Sequence, residues 1–286
     1  MREHAGRVIT ALVALPLVYG AVVWLPAWAF AVLIGVVVVV AQVELYAMVL
    51  PLADRSTWRS GRLPVFALGV LGGVALTAIV ASQGARATAL PIAATGLVAG
   101  LAVTALASGR DLRVATTDAA FALFGVWYVA WLLGQIVLLR GAPRGEWLVL
   151  FALWVTWLAD AAAFYVGRLW GRRPLAPRVS PRKTVEGAVA ALVGGVSAAV
   201  LGAAWFVPDF SPGEAAVLGA LMAAAGMAGD LVESLIKRGA GVKDSGGLIP
   251  SHGGLLDKID GLLFTAPLIY HYVVWAKGYG GAGASP

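Results

Sequence analysis

Four carboxylate side chains in the last third of the chain recur at a spacing that could bind a divalent metal ion. Asp230 and Glu233 are three positions apart, and so are Asp257 and Asp260. Residues at this spacing share one face of a helix. Because the chain contains no cysteine, thiolate metal ligands and thiolate nucleophiles are excluded. Clustered carboxylates without thiolates favour Mg²⁺, which prefers oxygen ligands.

A structural role is the alternative for the same acids. In that interpretation Asp230 pairs with Lys258, and Asp257 pairs with Lys237, as salt bridges between helices. We favour the metal site because ionisable residues within apolar spans are costly and are functional by default. Basic residues beside Mg²⁺ are also what a polyphosphate substrate requires.

Further polar residues lie between and beside the two acidic pairs. Ser234 and Lys237 continue the helical face of the first pair. The chain between the pairs is rich in glycine, so its backbone can approach a ligand closely. It also contains Lys243, Asp244 and the lone His252. For His252 we favour packing or hydrogen bonding to phosphate over proton transfer.

An earlier polar stretch is dense in positive charge. Six of the residues from Arg168 to Lys183 are basic. The segment from Ser180 to Glu186 is typical of the N-cap region of a helix, with the acid in the first turn. A helix N-terminus flanked by Lys and Arg favours phosphate binding. The alternative is a charged loop that fixes topology and contacts anionic lipid headgroups.

Three other acidic residues stand apart from these groups. Asp160 lies in the middle of an apolar helix, where it either pairs with a nearby arginine or joins the carboxylate site. Both interpretations remain open. Glu44 and Asp118 stand alone in the first half of the chain, and for them we favour hydrogen bonding between helices.

Composition places these residues in a membrane protein. Apolar residues make up 60% of the 286 residues and charged residues 13%, whereas a soluble domain carries roughly a quarter charged residues. A helix needs about 20 apolar residues to span the hydrocarbon layer. We therefore predict an all-α polytopic membrane protein with about nine transmembrane helices, the first retained and not cleaved as a signal. The spans are 8–24, 27–46, 64–81, 88–107, 114–139, 147–167, 186–206, 215–233 and 255–275.

The distribution of basic residues predicts the orientation of these spans. Arg86, Arg140, Arg144 and Lys277 fall on one side, which leaves 17 of the 21 Lys and Arg residues (21 − 4) on the other. Since the excess of basic residues lies in cytoplasmic loops, we predict a cytoplasmic N-terminus and an outside C-terminus. The net charge of +6 thus reflects topology, and nucleic-acid binding is not expected.

The second polar stretch carries a pattern of fixed positions. They are Ser234, Lys237, Arg238, Lys243, Asp244, Gly246, Ile249, Pro250, His252, Gly253, Gly254, Leu255, Asp257, Lys258, Ile259 and Asp260. This pattern resembles the signature of the phosphatidate cytidylyltransferases, also called CDP-diacylglycerol synthases. Lys258 stands where that family normally has arginine. The first stretch, from Ser180 to Gly187, is also similar to the family's.

The resemblance implies Mg²⁺-dependent transfer of CMP from CTP to phosphatidate, with release of pyrophosphate, at the cytoplasmic side of the cell membrane. It implies that Asp230 and Asp257 bind the metal. The catalytic residues expected are Lys183, Glu186, Lys237, Arg238 and Asp260. The substrate-binding residues expected are Ser180, Thr184, Ser234, Lys243, Asp244, Gly246, His252, Gly253, Gly254 and Lys258.

Within this activity, two basic zones are expected to divide the substrates. CTP is placed against Lys237, Arg238 and Lys243, and the phosphatidate headgroup against the Ser180–Glu186 segment with Lys183 as its main charge. Residues 1–150 are expected to form a scaffold of helices one to five. Residues 151–286 are expected to carry the site on helices six to nine.

Two other functions remain as alternatives. A transporter also combines apolar helices with charges inside the membrane, but the charges here gather near one interface and no inverted repeat is visible. A CDP-alcohol phosphotransferase would share the paired acids Asp257 and Asp260, yet its upstream Asp-Gly-x-x-Ala-Arg element is missing. Membrane lipid is the expected environment, and a homodimer is left open.

Overall fold

The computed structural model describes residues 14–49, 62–82, 86–247 and 253–279. His252 and the start of the first predicted span lie outside these residues. The helices are α1 (Ala14–Trp24), α2 (Ala27–Val49), α3 (Leu63–Ala81), α4 (Arg86–Ala107), α5 (Leu112–Arg140), α6 (Gly145–Trp170), α7 (Val185–Trp205), α8 (Pro212–Gly239) and α9 (Leu256–Lys277).

The helices from α2 to α9 are each long and apolar enough to cross a membrane, which makes eight such helices within the described residues. The described part of α1 is apolar but shorter. Each helix lies on one of the nine predicted spans, so the prediction of a helical, multi-pass membrane protein is confirmed. In α5 the segment Val126–Trp131 is a π-helix.

The chain forms two compact units. The first contains α1, α6, α7, α8 and α9 from Lys258 onwards. The second contains α2 to α4, α5 as far as Val137, and the described residues of Ala240–Asp257. The predicted division at residue 150 was a division of function and stays a prediction.

Small residues let the helices of the first unit approach one another closely. A Cβ atom added to Gly195 of α7 would lie 2.8 Å from the Gly219 carbonyl oxygen of α8. Ala159, Ala191 and Ala223 form a buried cluster on α6, α7 and α8. Such packing is typical of membrane helices, because lipid removes the hydrophobic drive for their association.

Buried polar contacts join the helices of the second unit. The Tyr46 hydroxyl of α2 donates to the Ala122 carbonyl oxygen of α5 at 2.7 Å. The carboxylate of Asp118 on α5 forms ion pairs with Arg62, 2.8 Å away and just before α3, and with Arg110. The structural role predicted for Asp118 is confirmed.

The predicted all-helical fold is interrupted by one short hairpin. Between α6 and α7 the chain forms an antiparallel pair of short strands, β1 (Pro174–Ala176) and β2 (Ser180–Thr184). Ser180 begins β2, and the N-cap of α7 is Thr184, whose hydroxyl accepts from the Gly187 N–H at 3.1 Å. Glu186 lies in the first turn, so the N-cap region predicted between Ser180 and Glu186 is confirmed. Prolines are tolerated in β1 and β2 because both strands are sheet edges, where the missing N–H of proline costs little.

Candidate catalytic site

Three acids of the first unit form a cluster. Asp230 and Glu233 lie on α8 and Asp260 lies on α9, and one carboxylate oxygen from each lies within 4.8 Å of the others. We call these three residues the acid cluster. Gly229 makes the approach possible, since a Cβ atom there would overlap the carbonyl oxygen of Asp260. The predicted shared face of Asp230 and Glu233 is thus turned toward α9.

Two lysines form ion pairs with the acid cluster. Lys183, near the end of β2, places its Nζ atom 2.5 Å from Asp230 Oδ2. Lys237, one turn along α8, places its Nζ atom 2.5 Å from Glu233 Oε2. Asp230 therefore pairs with Lys183 and not with Lys258, whose side chain is exposed. The hairpin brings Lys183 to the cluster, which helix spacing alone could not show.

Asp160 of α6 is the fourth acid near this group. It interacts electrostatically with Asp230 and Lys183, and Asp260 interacts with Asp160 in turn. Of the two interpretations left open for Asp160, the structure therefore favours the carboxylate site.

The charges of this group do not balance. With each side chain in its ordinary ionised state, four acids and two lysines leave two negative charges (−4 + 2 = −2). The acids are Asp160, Asp230, Glu233 and Asp260, and the lysines are Lys183 and Lys237. The donor set consists of carboxylate oxygens, which suits a hard divalent cation. Asp230 has a side chain that is 40% exposed, so a ligand can reach it.

Glu186 and Thr184 hold the hairpin onto α7. The Glu186 carboxylate accepts hydrogen bonds from the backbone N–H groups of Arg172 and Arg173 at 3.0 and 3.2 Å. Arg238 donates from Nε to the Val179 carbonyl oxygen at 3.4 Å, which links the end of α8 to the hairpin turn. In this arrangement Glu186 orients the segment that carries Lys183.

Ser234 is the one predicted substrate-binding residue that contacts the acid cluster in the contacts described. Its hydroxyl donates to Asp230 Oδ1 at 3.4 Å. Ser180, at the start of β2, is half-buried, and Lys243, Asp244 and Lys258 are exposed. These exposed side chains are free to meet a ligand from solution.

Asp257, a predicted metal ligand, lies in the second unit. Its carboxylate accepts hydrogen bonds from the backbone N–H groups of Ser245 at 3.1 Å and Gly254 at 2.8 Å. It thereby holds both described parts, 240–247 and 253–255, of the glycine-rich loop, residues 240–255. Gly253 has a φ of +81°, a conformation that favours glycine. The metal role of Asp257 stays a prediction.

Glu44 is the residue that sequence reasoning missed. Its carboxylate accepts from the backbone N–H groups of Leu255 and Leu256 at 2.9 and 2.8 Å. Hydrogen bonding between helices was predicted, but these partners are the end of the glycine-rich loop and the first residue of α9. The available signal was its charge within an apolar span, since such charges are functional by default.

Comparison of the sequence with known proteins identifies a family and several similar relatives. A sequence model described as the cytidylyltransferase family matches residues 5–276. The chain is 44% identical over 132 residues to a phosphatidate cytidylyltransferase of Synechocystis, covering 46% of this chain and 45% of that relative. It is 43% identical over 154 residues to one of Brucella suis, covering 51% and 54%. It is 38% identical over 157 residues to one of Staphylococcus saprophyticus, covering 55% and 60%. The chain spans about half the length of these curated relatives.

Proposed function

This chain belongs to the cytidylyltransferase family, and we propose that it transfers CMP from CTP to phosphatidate. The products are CDP-diacylglycerol and pyrophosphate. The observation that carries the proposal is the acid cluster with Asp160 and the two lysines, since their surplus of two negative charges matches a divalent cation, which can in turn bind phosphate oxygens. The names of the relatives supply the substrate class.

The chemistry requires positioning and charge neutralisation more than proton transfer. The phosphate monoester of phosphatidate has a second pKa of about 6, so its oxygen is anionic near neutral pH. That oxygen forms a bond to the α-phosphorus of CTP, and the bond from the α-phosphorus to the bridging oxygen breaks. Pyrophosphate leaves with the electron pair. A general base is unnecessary, and in-line alignment of the substrates provides much of the rate.

A divalent cation, which we propose to be Mg²⁺, would be held by the acid cluster, with Asp230 and Asp260 as the most suitable ligands. Glu233 is fully buried and already paired with Lys237, so it supports Lys237. When bound, Mg²⁺ supplies neutralisation of charge on the transferring phosphoryl group. Asp257 is retained as a predicted ligand, and its hydrogen bonds to the glycine-rich loop give it a second task.

The remaining residues divide between the two substrates. Lys183 sits on the hairpin beside the acid cluster, and we assign it to the phosphate of phosphatidate. Lys237, Arg238 and Lys243 follow one another along the chain, and we assign this basic segment to the triphosphate of CTP. Charge-assisted hydrogen bonds from such residues are among the strongest that proteins make.

The lipid and the nucleotide reach the enzyme from different phases. Phosphatidate can enter laterally from the bilayer, whereas CTP comes from the aqueous side. We place the site at the cytoplasmic face of the cell membrane, because the polar stretches lie on the side with most of the basic residues.

Purified protein incubated with phosphatidate and labelled CTP tests the function. We expect labelled CDP-diacylglycerol and pyrophosphate in detergent, without any ion gradient, only when Mg²⁺ is present. A gradient-dependent movement of solute with no lipid product would favour the transporter instead. Labelled product formed from CDP-diacylglycerol and an alcohol would favour the CDP-alcohol phosphotransferase.

The cytoplasmic placement gives a separate prediction. Gly247 is exposed and a side chain there would meet no atom within 4 Å, and Pro143 is exposed between α5 and α6. In this cysteine-free chain, Gly247→Cys should react with an impermeant thiol reagent only after the cells are opened. Pro143→Cys should react in intact cells. Labelling of position 247 from outside intact cells would reverse the predicted orientation.

A further inference from the structure

Glu44, a residue of an apolar helix, accepts hydrogen bonds from the glycine-rich loop. It lies on α2 and is 8% exposed. Besides the N–H groups of Leu255 and Leu256, its Oε2 atom lies 3.3 Å from the Ser245 hydroxyl, which donates to it. One carboxylate therefore holds both described parts of the loop, at Ser245 and at Leu255. All of these residues belong to the second unit.

The glycines of the loop are matched to this carboxylate. A Cβ atom added to Gly246 would lie 2.8 Å from Glu44 Oε1, and one added to Gly254 would lie 2.5 Å from Glu44 Oε2. A side chain at either position would therefore force the Glu44 carboxylate to move. The absence of a side chain at these two glycines therefore leaves space for the Glu44 carboxylate. The sequence had suggested that this space was for a ligand.

Asp257 completes the same arrangement from the other side of Ser245. The backbone N–H of Ser245 donates to Asp257, while its hydroxyl donates to Glu44. Ser245 is buried at 4% exposure, and its neighbours Lys243 and Asp244 are exposed. The loop is thus anchored at a buried residue and presents its charged residues outward.

A buried carboxylate is costly unless hydrogen bonds replace its water. Glu44 receives three such bonds, and two of them come from N–H groups at the start of α9, where the helix dipole also favours negative charge. Mere fastening of α2 would need no contact with a loop. Two of the three bonds come from the loop, at Ser245 and Leu255, and the third comes from the first residue of α9, so Glu44 holds the loop and its junction with α9.

We propose that Glu44 is a positioning residue that fixes the glycine-rich loop, so that Lys243 and Asp244 are pre-ordered for the nucleotide, with Lys243 at its triphosphate. The role of these two residues rests on the proposed function. Pre-ordering would act mainly on nucleotide binding, because an ordered loop loses less entropy when the ligand binds. Glu44 itself would touch no substrate.

The test measures loop order and kinetics separately. A nitroxide label on Gly247→Cys reports loop mobility, and steady-state kinetics report KM for CTP and kcat. Both are measured with Glu44 unchanged, with Glu44→Ala and with the size-matched Glu44→Gln. Gln42→Ala is the matched control, because Gln42 is also buried on α2 and bonds Gly69 and Tyr46 but not the loop.

We expect both Glu44 variants to increase label mobility and to raise KM for CTP, by about tenfold for Glu44→Ala, with a smaller change in kcat. Glu44→Gln should give a smaller rise, since it keeps one acceptor oxygen. Gln42→Ala should change neither mobility nor KM. If Glu44→Ala does not fold, Glu44→Gln decides the matter.

Unchanged label mobility in the Glu44 variants would overturn the proposal, as would an equal loosening of the loop by Gln42→Ala. A looser loop with an unchanged KM for CTP would overturn the nucleotide part. If the unsubstituted protein transferred no CMP, the proposed function would fail. The mobility measurement would still decide whether Glu44 holds the loop.

Discussion

Replacing Asp230 with asparagine should lower CMP transfer by about a hundredfold or more, because the change removes a charge that we assign to binding Mg²⁺. It also leaves Lys183 beside a neutral amide, and it reduces the surplus of negative charge in the group from two to one (−3 + 2 = −1). Initial rates with labelled CTP measure the effect, and thermal unfolding in detergent checks that the variant is folded.

Asp209→Asn is the matched control for this substitution. Asp209 also forms an ion pair, with Arg144 at 3.0 Å, and it lies in the same unit but outside the acid cluster. We expect this variant to keep near-normal turnover. Near-normal turnover of Asp230→Asn at limiting Mg²⁺ would contradict the metal assignment.

The same assay separates the two tasks of Asp257. Asp257→Asn should also lower activity strongly, and the dependence on Mg²⁺ shows why. If Asp257 is a metal ligand, raising the Mg²⁺ concentration should restore part of the rate. If Asp257 only holds the N–H groups of Ser245 and Gly254, added Mg²⁺ should restore none of it.

Substitution of the two lysines should separate the substrates. Lys183→Ala should raise KM for phosphatidate more than KM for CTP, and Lys243→Ala should do the reverse. Each loss of a charged hydrogen bond is expected to change the affected KM by about tenfold to a hundredfold. Because Lys183 also neutralises Asp230, its variant should lose kcat as well.

Arg182→Ala is the matched control for Lys183→Ala. Arg182 is the neighbouring residue on β2 and is exposed, and successive side chains of a strand point to opposite faces. We expect its removal to leave both KM values nearly unchanged. The opposite pattern in the two lysine variants would exchange the assigned substrates and leave the activity itself intact.

The helices could be predicted from the sequence because their cause is local. A run of about 20 apolar residues must satisfy its backbone internally in lipid, and a helix does so within the run. The shared face of Asp230 and Glu233 followed from helix periodicity in the same way. Hydropathy and spacing are properties of neighbouring residues, so no tertiary information was needed.

The hairpin could not be predicted from such local properties, because it depends on the pairing of two strands. Pro174, Pro177 and Pro181 interrupt any helical pattern between α6 and α7, and their short strands carry little alternation. The sequence therefore indicated a polar loop, with an N-cap region between Ser180 and Glu186 before the span at 186–206. Only the pairing of β1 with β2 determined that Thr184 is the N-cap of α7 and that Lys183 reaches Asp230.

Tertiary structure also determined which acidic side chains lie close together and which groups pack against the glycines. Asp260 joins Asp230 because Gly229 lets α8 approach α9 at that point. Glu44 meets Leu255 across 211 residues of chain, and no local pattern reports such a contact. The sequence determined the positions of the charged residues along each helix. The close packing of glycine against the backbone of a neighbouring helix determined which of those residues share a site.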